Sequence, residues 1–99
     1  MPQKIKEELD EWEEKTKKLL NKAKKVPKKI TKELREEAKD LSKSGKNMVK
    51  KIDTRMDKVE EKSKQSLRQL NERLRKVYKD LREGWNKIDE EEYIPPLDS

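Results

Sequence analysis

The sequence predicts an all-α protein built from long amphipathic helices. Three observations carry this. Apolar residues recur every three or four positions over most of the chain. Lysine, glutamate, leucine and arginine, all good helix formers, dominate the composition. No segment shows the period-two alternation of a half-buried strand.

The apolar series opens with Ile5, Leu9, Trp12, Leu19, Ala23, Val26, Ile30, Leu34, Ala38 and Leu41. It resumes with Met48, Ile52, Met56, Val59, Leu67, Leu70, Leu74, Val77, Leu81, Trp85 and Ile88. Thr16, Gly45 and Ser63 stand where the series calls for apolar residues, and Leu20, Val49 and Tyr78 are apolar but off it. At about 100° per residue the series fills an arc of roughly 160° on a helix. Its first positions fit a heptad. Two later four-four steps, at Ile30–Leu34–Ala38 and Met48–Ile52–Met56, relax the repeat toward that of a straight helix. Acid-to-base pairs four apart, such as Glu11–Lys15, Glu60–Lys64 and Glu72–Lys76, each add about 0.2–0.5 kcal/mol of helix support.

Two places interrupt the helical pattern. Pro27 has no amide hydrogen and clashes with the preceding turn, and its neighbours offer no strong cap, so a kink near Val26 is expected. The second is Ser42-Lys43-Ser44-Gly45-Lys46-Asn47. Gly45 can end a helix in the left-handed conformation, and Ser44 or Asn47 can cap the next. The expected architecture is therefore an antiparallel helical hairpin. Its arms span about 3–42 and 47–90, within a single unit of residues 1–88. The alternative is one long kinked helix, because the apolar phase survives both interruptions.

Residues 89–99 differ. An acidic run, Asp89-Glu90-Glu91-Glu92, leads into Tyr93-Ile94-Pro95-Pro96-Leu97, whose prolines exclude helix and favour an extended form. Tyr93, Ile94, Pro95, Pro96 and Leu97 form a candidate docking segment. It can enter a groove on another protein or pack back on the helices, or it is a plain disordered terminus.

Composition narrows the function. Ninety-nine residues suit one small domain; 51% are charged, 28% are apolar, and the net charge is +6. Without cysteine there is no disulfide or thiolate metal site, and without histidine no imidazole base or ligand. No EF-hand spacing or phosphate loop occurs, so neither metal nor cofactor is expected, and the reading is non-enzymatic. No apolar run approaches a membrane span, and no leader or lipidation motif is visible. An intracellular protein, soluble or peripheral, is the default expectation.

A lone amphipathic helix is marginal in water, so the apolar stripe must be covered. The cover is the other arm, a second copy in a homo-oligomer, a larger protein assembly or a lipid surface. The stripe is thus the first candidate interaction surface. The second is the block KTKKLLNKAKKVPKKITK, with Lys15, Lys17, Lys18, Lys22, Lys24, Lys25, Lys28, Lys29 and Lys32 and no acid. Such a block is either a solvated helix face or an anion-binding surface, and the acidic tail is one possible partner for it. Three functions follow in order. The first is an interaction or assembly protein acting through the stripe. The second is a reversible binder of anionic membrane surfaces, with Trp12 and Trp85 as interfacial anchors. The third is a nonspecific nucleic-acid binder through phosphates, since the block lacks arginine and aromatic side chains for base readout.

Overall fold

The helical periodicity resolves into three helices: α1 (Pro2–Lys25), α2 (Lys32–Met56) and α3 (Glu61–Ile88). The computed structural model describes residues 2–26, 29–89 and 91–97.

The helix boundaries correct the expected hairpin. Residues 42–47 do not turn; they lie inside α2. Gly45 is helical, and no described glycine has a positive φ. A Cβ at Gly45 would stand 2.9 Å from both Trp12 Cζ2 and Tyr78 Cδ2. The missing side chain is a notch in which rings from α1 and α3 meet over α2.

The first true break precedes α2. Pro27 and Lys28 lie outside the described residues, but α1 ends at Lys25 and α2 begins at Lys32, so the helix stops where a kink is expected. The cap that makes this possible is Thr31. It is extended (φ −84, ψ 162), and its hydroxyl accepts a hydrogen bond from the Leu34 amide at 3.2 Å. Lys22, Lys24 and Lys25 in the last turn of α1 complement the negative end of its dipole.

The second break, at residues 57–60, contains neither glycine nor proline. Asp57 remains right-handed, and the Lys58 amide bonds to the Arg55 carbonyl at 3.1 Å. Glu60 is extended, and its carbonyl accepts from the amides of Ser63 and Lys64 at 3.0 and 3.2 Å. Val59 turns inward and packs on the core, so the apolar phase crosses the reversal intact.

Cross-helix contacts fix an up-down-up bundle. Lys51 reaches Glu8 at 3.4 Å and the Trp12 indole donates to the Leu41 carbonyl at 2.8 Å, which sets α2 antiparallel to α1. Ser42 meets Tyr78 and Arg35 meets Asp89, which sets α3 antiparallel to α2. Arg73 pairs with Asp10 and Glu13 at 2.7 and 2.8 Å, and Leu20 lies against Gly84, so α1 and α3 run parallel in contact. Each helix therefore touches two neighbours and buries a wider arc than one stripe. Leu20 and Tyr78, off the stripe, fill the flanks of that arc.

Candidate interaction surfaces

The stripe is covered from within the chain. Ile5, Leu9, Trp12, Leu19 and Ala23 of α1 meet Leu41, Met48 and Ile52 of α2 and Leu67, Leu74, Val77, Leu81 and Trp85 of α3 in one buried cluster. Ile30, Leu34, Met56, Val59, Leu70 and Ile88 are partly buried against it. Val26, 40% exposed, is the described stripe residue left outside. Thr16 takes its stripe position fully buried, and its hydroxyl has no hydrogen-bond partner among the described residues. Among the described residues the exposed large apolar side chains are Val26 and Tyr93.

The lysine block lies on that exterior. Lys15, Lys17, Lys18, Lys22, Lys24, Lys25, Lys29 and Lys32 are all exposed, and Lys28 is outside the described residues. Among the described residues of the block, Lys18 has an ion-pair partner, Glu14 at 3.6 Å, and both side chains are 70% exposed. Such a pair adds little in water. A groove between α1 and α2 brings Lys15, Lys18 and Lys22 together with Glu37 and Asp40, and no ion pair among the described residues closes it. The pairing of block and acidic tail does not form among the described residues; Asp89 and Glu91 pair with Arg35 of α2 instead.

The tail is the most closely organised surface feature. At the end of α3 the Asp89 amide bonds to the Trp85 carbonyl at 2.9 Å. The Asp89 carboxylate accepts the amides of Glu91 and Glu92 at 3.1 and 3.3 Å, folding the chain back. The same carboxylate receives Arg35 from α2 through Nε at 3.1 Å and Nη2 at 3.4 Å, while Arg35 Nη1 reaches Glu91 at 3.1 Å.

From there α3 reads the returning main chain. Trp85 donates its indole N–H to the Glu92 carbonyl at 2.8 Å. The Asn86 side-chain amide binds both backbone groups of Ile94, accepting its N–H at 2.9 Å and donating to its carbonyl at 3.1 Å. Tyr78 donates to the Pro95 carbonyl at 2.7 Å. With its one proton used there, Tyr78 accepts from Ser42 at 3.0 Å, so α2, α3 and tail share one chain of hydrogen bonds. The Ile94 side chain is 1% exposed, and Leu97 is partly buried against the core. Tyr93 stays 58% exposed, with Arg82 5.6 Å above its ring and donating to its hydroxyl at 2.7 Å. Pro96 is exposed.

Burial is the largest influence on the Asp89 carboxyl and pushes its pKa up. The Arg35 hydrogen bond, the two backbone amides and the Arg35 charge together outweigh it, so the group titrates below its ordinary value. Arg35 is correspondingly held more firmly charged, chiefly by the Asp89 hydrogen bond. Arg73 is raised in the same way by Glu13 and Asp10.

Arg35, Asn86 and Asp89 are functional candidates that sequence reasoning misses. One signal is present: Tyr78 breaks the stripe on the face that meets α2 and the tail. Asn86 and Arg35 carry no such mark, because a lone asparagine or arginine on a charged helix surface looks like solvent-facing polarity.

Among the described residues no group of three or more aspartates, glutamates, histidines or cysteines could hold a metal ion. No described helix is long and apolar enough to cross a membrane. Comparison of the chain with protein-family models, curated proteins and solved structures finds no match. The functional reading therefore rests on geometry.

Proposed function

We propose that the protein is a non-enzymatic interaction module that meets an anionic partner through the exposed lysines of residues 15–32. One observation carries the reading. These lysines are exposed, and two acids of the tail that could otherwise neutralise them, Asp89 and Glu91, are committed to Arg35 instead. Crowded like charges raise the energy of the free surface, and an anionic partner relieves it. With the apolar stripe taken up inside, assembly on a larger complex proceeds through charge at the exterior.

An acidic protein surface suits this module better than a lipid sheet. Trp12 and Trp85 are in the core, Trp12 bonded to Leu41 and Trp85 to the tail, so neither serves as an interfacial anchor without unfolding. Binding to an immobilised acidic protein, measured as a function of salt for the native chain and a Lys17→Glu/Lys29→Glu/Lys32→Glu variant, tests the reading. The native chain is expected to bind with steep salt dependence, and the variant, equally helical, to bind about tenfold or more weakly. Equal binding by both would contradict the proposal. Retention on anionic vesicles with a blue shift of tryptophan emission would favour lipid.

A further inference from the structure

The groove between α2 and α3 has the chemistry of a peptide-binding site, with the chain's own tail as its occupant. Three features separate it from ordinary packing of a terminus. The first is that contacts are directed at main chain. Trp85, Asn86 and Tyr78 bind the carbonyls or amide of Glu92, Ile94 and Pro95, as a neighbouring strand would. Main-chain hydrogen bonds combined with a pocket for an apolar side chain, here Ile94, are one recurring way in which folded domains hold extended segments. The second is that a cation on the other helix, Arg35, clamps the acidic end of the segment. The third is that Pro95 and Pro96 hold the occupant extended before it docks, which lowers the entropy lost on binding.

Release of the tail would open the core where Ile94 is seated and strip Arg35, Tyr78, Asn86 and Trp85 of their tail partners along one groove. Stranded donors and acceptors select a ligand that satisfies them again. Arg82 Nε, buried and without a partner among the described residues, is a further donor on this face.

We propose that this groove binds a partner's acidic, extended segment of the same chemistry: a carboxylate for Arg35, then a branched apolar residue followed by proline. The tail is its tethered competitor. Held in cis at an effective concentration on the order of millimolar, it keeps the groove closed to weak ligands and yields to tight ones. This proposal does not rest on the lysine block.

The test uses the full chain and a fluorescent peptide with the sequence DEEEYIPPLDS. An Ile94→Glu chain, whose own tail has lost its anchor, is expected to bind the peptide saturably and about tenfold or more tightly than the native chain does. Adding Asn86→Ala to that chain should abolish binding, and a scrambled peptide of equal charge should fail to bind. No saturable binding by an Ile94→Glu chain of native helicity would overturn the proposal. So would equal binding by the native and Ile94→Glu chains, or binding of the scrambled peptide. If Ile94→Glu disturbs the helices, a Pro95→Gly/Pro96→Gly chain loosens the tail while keeping Ile94, and the same outcomes are read on it.

Discussion

At the scale of the residue, the two glycines show how one side chain can mean opposite things. Gly45 is flanked by serines and asparagine, which is turn chemistry, and a turn is what that sequence leads one to expect. The structure uses the same residue for closeness, letting Trp12 and Tyr78 approach α2 from two sides. Nothing local distinguishes the two uses, because the rings that need the space are 33 residues away in each direction along the chain. Alanine at both glycines separates them. Gly45→Ala gains about 1 kcal/mol of helix propensity but forces two hydrogen-bonded rings apart, a clash of about 1–3 kcal/mol, so net destabilisation is expected. At Gly84 the new Cβ would meet the Leu20 methyls at 3.0 and 3.2 Å, and Leu20 is a half-buried, flexible side chain. Gly84→Ala is therefore expected to be neutral or stabilising by up to about 1 kcal/mol. Urea denaturation of both variants checks the contrast.

At the scale of the element, the helices are legible in the sequence and their ends are not. The three-four spacing picks out nearly all the buried helical positions, because burial imposes that period whatever the partner. The ends depend on weaker signals. Thr31 caps α2 from four residues beyond Pro27, and this distance hides it. The reversal at residues 57–60 uses Asp57, Lys58, Val59 and Glu60, none of them a strong breaker, and is held by the packing of the helices it joins. The tail's prolines and acids are plain in the sequence, but its anchor, Asp89, looks like one more acid in a run. Asp89 makes tail docking sensitive to acid. Its folded carboxyl titrates below the ordinary value of 3.8, so its contribution is fully present above that value and is lost as pH falls through the lowered one. Docking, followed by the Ile94 amide signal in NMR, should be constant from about pH 7 to 5 and weaken below the ordinary carboxyl range. Asp89→Asn should loosen the tail at neutral pH and flatten the acid response. An acid response unchanged in Asp89→Asn would assign it to other carboxylates.

At the scale of the whole molecule, the sequence demands a cover for its apolar stripe but does not say whose. Two arms give too thin a layer, which is why a hairpin needs a second copy. Three shorter helices enclose the same side chains within one chain, because each helix then buries two flanks. That change moves the candidate functional surface from the stripe to what is left outside it, the lysines of α1 and the tail groove of α2 and α3. The most direct test is residue-resolved amide hydrogen exchange on dilute protein whose mass has been fixed by sedimentation. The bundle predicts a helical monomer in which the amides of residues 42–48 are as well protected as those of Ala38 and Ile52, the fully buried α2 residues on either side. Fast exchange at Lys43, Ser44, Gly45 and Lys46, together with helicity that appears only as the chain dimerises, would contradict it.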